Sequence, residues 1–281
     1  MKITDIKLEP CIMRKEDPTW RFALGASPIT EGLIISIETD EEITGYGYAS
    51  ATAHMGASME GLTGTLERLI PHVKEHDALS MASIRVTMDR ALSGNNQAKA
   101  AIDNALFDLA AKSMNVPLHR LFGGAVRTEF PVLRILAIKQ PDEMAEQAQI
   151  LFDQGYRYFK IKVHGEVDLD IARVTAIRKR LGDEANLTVD ANQAYSPKDA
   201  IAALNGMAEY RIDLVEQPVA IDDYKGMKLV TDSVPVTVEA DESAGSIQEV
   251  AYLVEHRIVD AISLKVAKLG GLWNTLTAAQ I

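Results

Sequence analysis

Hydrophobic and polar residues alternate with period two over residues 3–8, 33–38 and 43–48, the pattern of half-buried strands. The polar run Thr39-Asp40-Glu41-Glu42 joins the last two, so a short antiparallel meander is predicted. The spacing then turns helical. Over residues 97–114, Ala98, Ala101, Ile102, Ala105, Leu106, Leu109 and Ala110 make one apolar stripe of period 3.6, stopped by Pro117 and Gly123-Gly124. Strands followed by helices predict an α+β domain over residues 1–125.

From about Phe130 short apolar strands alternate with helical runs: 132–137, 158–163, 187–190, 214–216, 236–240 and 261–266. Between successive strand ends the chain advances 28 residues from Lys162 to Asp190, 26 to Glu216, 25 to Asp241 and 24 to Lys265. So regular a pitch predicts an α/β region over residues 126–281, a (β/α) barrel of the TIM type with about six βα units. A barrel of eight would need two further strands, so the C-terminal strands are expected to be missing, with a partner or an absent segment closing the ring.

Alternation along each strand assigns its charged residues to one face. Phe159, Ile161 and Val163 take the helix-facing side of their strand, which turns Lys160 and Lys162 inward. The same parity turns Asp190, Glu216 and Asp241 inward, and Lys265 too, since Ile262, Leu264 and Val266 take the outer face. All lie at or near C-terminal strand ends, where barrel enzymes build their sites. Three carboxylates converging on one mouth would repel one another unless a cation sat between them. Oxygen ligands without His or Cys suit Mg²⁺, with Mn²⁺ as an alternative, better than zinc. Lys162 and Lys265 end the second and sixth strands, on opposite sides of an eight-stranded ring, an arrangement for removing a proton from one face of a carbon acid and returning it to either.

Singly, each motif has an ordinary reading: a solvated Lys-x-Lys strand end, Asp190 in a turn, Asp241-Glu242-Ser243 as the N-cap of the helix near Ser246. Jointly they would have to share parity, strand-end placement and pitch by accident. Asn192 and Glu242 are expected to orient the carboxylates, Glu239 to sit a layer deeper, and His54 to be a surface residue or to touch substrate. Lys268 is expected to be solvated or supporting and His164 to be a loop residue. Gly45-x-Gly47 lacks the third glycine of a dinucleotide loop.

Composition narrows the partners. The 281 residues carry 29 Lys+Arg against 40 Asp+Glu, a net charge of −11, which disfavours nucleic acid and anionic membranes. One cysteine excludes an intrachain disulfide, and no signal-peptide or membrane-spanning run is present in the sequence, so a cytoplasmic location is expected.

The motifs Lys160-Ile161-Lys162, Asp190-Ala191-Asn192, Glu216-Gln217-Pro218, Asp241-Glu242-Ser243 and Lys265 followed by Gly270-Gly271 resemble the enolase superfamily, in particular its muconate-lactonizing-enzyme (muconate cycloisomerase) subgroup, which includes dipeptide epimerases and N-acylamino acid racemases. The resemblance implies that residues 1–125 are a capping domain whose loops near 19–29 and 51–58 close over the site. It implies Mg²⁺ on Asp190, Glu216 and Asp241, Lys162 and Lys265 as the acid/base pair, and Lys160 neutralising an enolate. The implied activity is that of a Mg²⁺-dependent isomerase that abstracts the proton α to a carboxylate through a metal-stabilised enolate. Racemisation or epimerisation of an amino-acid derivative or dipeptide comes first. The alternatives are a muconate-type cycloisomerase, a dehydratase or o-succinylbenzoate synthase-like lyase, and a non-catalytic truncated barrel. The expected partner is a small-molecule carboxylate, and the expected assembly a homo-oligomer.

Overall fold

The computed structural model describes every residue except Ser27. It falls into two compact units, neither a continuous stretch. The first comprises Met1–Lys15, Ile29–Thr128 and Leu264–Ile281; the second, Glu16–Pro28 and Glu129–Ser263.

In the first unit the predicted meander forms. Ile29–Thr39 lies between Ile3–Arg14 and Thr44–Ser50, antiparallel to both. The first strand runs past the predicted end at residue 8 and through Pro10, which an edge strand tolerates because a missing N–H can face outward. Ile3, Ile35 and Ile37 pack with Leu66, Leu69, Ile84, Ile102 and Leu106 into one apolar core. Helix Asn96–Ser113 crosses the sheet at close range. A Cβ on Gly47 would lie 1.9 Å from the Ala101 carbonyl oxygen, and one on Gly45 2.2 Å from that of Ala105. These glycines serve helix-on-strand packing. Every member of the predicted stripe is buried, and the burial extends to Asp103, against which residues 271–273 pack, and to Phe107, whose ring centroid lies 5.0 Å from that of Phe122.

The second unit holds a parallel sheet of six strands: β1 (Leu133–Leu136), β2 (Tyr158–Lys162), β3 (Asn186–Asp190), β4 (Ile212–Glu216), β5 (Thr237–Ala240) and β6 (Ala261–Ile262), in that spatial order. Helices Pro141–Asp153, Val167–Leu181, Pro197–Met207, Tyr224–Ser233 and Ile247–Glu255 connect them. Their starts follow from local chemistry. Gln140 and Glu143 form a capping box ahead of Pro141, and Ser196, Asp223 and Ser246 each accept a backbone N–H of the first turn. Ser246 therefore caps its helix, and the cap reading of Asp241-Glu242-Ser243 is set aside.

One predicted strand is shorter than expected. The sheet ends at Ile262, with Ser263 giving the last ladder bond to the Ala240 carbonyl at 2.8 Å. Lys265 instead precedes a helical turn, Val266–Leu269, which Leu269 closes by donating to the Lys265 carbonyl at 3.2 Å. Lys265 itself is still in extended backbone, with φ −116° and ψ 122°, so the ladder stops short of the predicted end at residue 266 while the residue that opens the turn stays extended.

Candidate active site

Register aligns the charged residues of neighbouring strands. Lys162, at the end of β2, stands opposite Asp190, at the end of β3, and Asp190 stands opposite Glu216, at the end of β4. Glu239 continues this row on β5, opposite Glu216, so it is level with the other carboxylates; Asp241 follows two residues later, just past the strand. Alternate residues share a face, so Lys160 and Lys162 project to the same side, while Ile161, Val189 and Val215 are fully buried.

The ammonium groups lie among the carboxylates. Lys162 Nζ is 2.6 Å from Asp190 Oδ2 and 2.5 Å from Asn192 Oδ1. Lys160 donates to Glu216 and lies 3.9 Å from Asp190 Oδ2. Asn192 passes the contact on, its side-chain amide donating to Glu242 Oε1 at 3.0 Å, and its own N–H donates to Asp190 Oδ1 at 3.0 Å. That placement requires left-handed backbone at Asn192, φ 41°, a conformation Asn tolerates better than most residues.

Gln217 ties the next two loops together. Its Oε1 accepts the N–H groups of Asp241 at 3.0 Å and Ser243 at 3.1 Å, while its Nε2 donates to Ser243 Oγ and the Val219 carbonyl. Asp170 does the same beyond β2. Fully buried on helix Val167–Leu181, it accepts from the N–H of Gly165 at 2.9 Å, the N–H of His164 and the Tyr195 hydroxyl at 2.7 Å, and it pairs with Arg173. Burial pushes the Tyr195 hydroxyl up, and the Asp170 charge adds to this. His164 itself is an exposed loop residue. No sequence signal assigned a role to Gln217, Asp170, Arg173 or Tyr195, whose partners are distant in the chain or set by unusual backbone.

Asp190, Glu216 and Asp241 are 2%, 0% and 2% exposed. Burial pushes the Glu216 carboxyl up to about 7, the Asp190 charge adds to this, and Lys160 pulls against it. Burial also raises Glu242, with the Asp241 charge adding, and Glu242 Oε2 is buried without a hydrogen-bond partner. Among the described residues no three His, Cys, Asp or Glu side chains already converge as a metal cluster; Asp190 and Glu216 turn to the two ammonium groups. The donor set nonetheless fits a hard divalent cation. It is all oxygen, it is desolvated, and it includes the buried Glu242 Oε2 that has no hydrogen-bond partner.

The segment Glu16–Pro28 belongs to this unit. Arg21–Phe22 pairs with Gly25–Ala26, the Arg21 carbonyl accepts from Ile138 N–H at 3.0 Å, and Asp17 pairs with Lys139 at 3.1 Å. The Phe22 ring centroid is 5.7 Å from Lys162 Nζ, a cation–π distance. The implied lid segment 19–29 thus reaches the predicted lysine with Phe22; its Ser27 lies outside the described residues. Lys265 and His54 belong to the first unit, His54 exposed in the turn Ala53–Met55 and Lys265 half-buried. Lys268, expected to be solvated or supporting, is buried.

With this geometry in view, comparison with known proteins gives the class. Residues 10–123 match the mandelate racemase / muconate lactonizing enzyme N-terminal domain, and residues 143–281 match the family described as enolase C-terminal domain-like. The chain belongs to the mandelate racemase/muconate lactonizing enzyme family of the enolase superfamily. It is 36% identical to the hydrophobic dipeptide epimerase of Enterococcus faecalis, over 100% of this chain and 79% of that protein. It is 33% identical to the N-succinyl-L-Arg/Lys racemase of Bacillus cereus, over 99% of this chain and 76% of that protein. The crystal structure of the dipeptide epimerase from Enterococcus faecalis V583, complexed with Mg and the dipeptide L-Leu-L-Tyr, superposes with a TM-score of 0.96 at 35% identity, covering 100% of this chain and 79% of that one. Among the described residues no helix is long and apolar enough to cross a membrane.

Proposed function

We propose that this chain racemises or epimerises an amino-acid derivative or dipeptide by moving the proton α to its carboxylate. The observation that carries this reading is the contact of Lys162 and Lys160, on β2, with the buried carboxylates that end the neighbouring parallel strands β3 and β4. Relatives of which this chain spans 79% and 76%, a hydrophobic dipeptide epimerase and an N-succinyl-L-Arg/Lys racemase, support the substrate class.

In this reading Asp190, Glu216 and Asp241 hold Mg²⁺, which when bound would offset the substrate carboxylate and the negative charge that develops on it. Lys162 takes the α-proton from one face, the C–H electron pair passing into an enolate. Lys265, assigned by its place in the chain after β6, serves the opposite face, and reprotonation there inverts the centre. Lys160 holds Glu216 and adds positive charge where the enolate oxygens form. Asn192, bonded to both Lys162 and Glu242, keeps the Lys162 amine from swinging away.

The test is proton NMR of α-hydrogen exchange in D₂O with Mg²⁺, using L-Leu-L-Tyr, its epimer L-Leu-D-Tyr, N-succinyl amino acids and muconate. Exchange of both hands supports the reading. Lys162→Ala and Lys265→Ala should each lose turnover by about 100-fold or more while keeping exchange of one hand. Full activity in both variants, lactone formation from muconate, or loss of water from the product would each replace it with another chemistry.

A further inference from the structure

We propose that Asp103 is a positioning residue for Lys265, holding from below the turn that presents this lysine; the proposal rests on the reading of Lys265 as one of the two bases. Lys265 opens the turn Val266–Leu269, and Gly271 N–H returns to the Val266 carbonyl at 3.0 Å. Gly270 and Gly271, with φ of 87° and 124°, then reverse the chain into helix Leu272–Ala279. That helix starts on Asp103. The carboxylate, on helix Asn96–Ser113 and 1% exposed, accepts the Trp273 N–H at 3.4 Å, where the partial positive charge of the helix start favours it.

The contact is close enough to set the path of the chain. A Cβ on Gly271 would lie 2.2 Å from Asp103 Oδ2, so the backbone reaches the carboxylate only because this residue is glycine. The other end of the turn is clasped by the same helix, Asn96 Nδ2 donating to the Lys268 carbonyl at 2.8 Å. Asn274 Nδ2 donates to the Leu269 carbonyl at 2.8 Å, and Arg85 binds Asn274 Oδ1 at 2.6 Å while stacking 5.3 Å from the Trp273 ring centre. The long helix therefore grips the segment on both sides of the glycine pair, and Lys265, whose carbonyl accepts the Leu269 N–H, opens the turn so held. A displacement of about 1 Å at a reacting group can cost on the order of 100-fold in rate.

The test uses the full chain in D₂O with Mg²⁺, L-Leu-L-Tyr and L-Leu-D-Tyr as probes, and exchange of each hand measured separately. The hand lost in Lys265→Ala defines the Lys265 face. Asp103→Ala should slow exchange on that face by about tenfold or more and leave the Lys162 face within about twofold. Gly271→Ala, which pushes on the same contact from the other side, should reproduce the asymmetry, and Asp103→Asn, which keeps an acceptor oxygen, should restore most of the lost rate. A general loss of folded protein lowers both faces together, so the ratio of the two hands is an internal control. Equal loss on both faces, or no loss on either, overturns the proposal. Absence of exchange on both faces of the unaltered protein overturns the two-base reading first, and this proposal with it.

Discussion

Gln217 accepts the backbone N–H of Asp241 at 3.0 Å, so the residue that follows Glu216 fixes the start of the loop carrying the next carboxylate. All four hydrogen-bonding positions of this buried amide are used. Gln217→Leu keeps the volume and strands the N–H groups of Asp241 and Ser243, which should cost on the order of 3 kcal/mol. Urea unfolding measures the loss, and the rise in Tm produced by Mg²⁺ should shrink in the same variant.

Removal of the divalent ion is a second test. A ligand that binds only the folded state at 100 times its Kd adds about 2.7 kcal/mol. MgCl₂ should therefore raise Tm over EDTA, and Asp190→Asn should abolish most of that rise. Equal melting with and without Mg²⁺ would favour a non-catalytic barrel.

Stability should also depend on pH through Asp103. Burial pushes this carboxyl from its ordinary 3.8 up to about 6, while the Trp273 N–H, Arg85 at 4.0 Å and the Leu272 N–H pull it down by less. Between about pH 4 and pH 6 the native state keeps a proton that the unfolded chain has released. Stability therefore falls as pH rises through that window and levels off above it, by on the order of 3 kcal/mol. Asp103→Asn should flatten that part of the profile, as read by chemical unfolding at pH 4.5 and pH 7.

Gly47→Ala tests the packing of the long helix on the meander. The added methyl would sit 1.9 Å from the Ala101 carbonyl oxygen, which backbone must yield to accommodate. A loss of about 1–3 kcal/mol or more is expected by thermal melting, because overpacking forces the neighbours apart.

Much of this architecture could be read from the residues because most βα units repeat the same signals: a short apolar run, charged residues at the strand end of β2, β3 and β4, and a capped start to four of the five connecting helices. Parity along β2, β3 and β4 then aligned Lys162, Asp190 and Glu216. What escaped was long-range or backbone-determined. Residues 261–266 alternate as a strand would, yet the ladder ends at Ile262 and a helical turn begins at Val266. Asp103 falls off the apolar stripe of its helix and looks solvated, but residues 264–281 cover it, and Lys268 is buried in the same way. Gln217 and Asp170 gather partners from loops 24 to 26 residues apart or from N–H groups next to the lysine strand, contacts that only folding creates.

The interleaving of the two units bears on how such proteins can be recombined. A gene fragment opening at Glu129 would leave behind Glu16–Pro28, the piece that brings Phe22 to Lys162, and would retain Leu264–Ile281 without the helix that anchors it. Chimeras that exchange the parallel-sheet unit between relatives should therefore move Glu16–Pro28 together with Glu129–Ser263, so that the crossover points follow the contacts rather than the order of the codons.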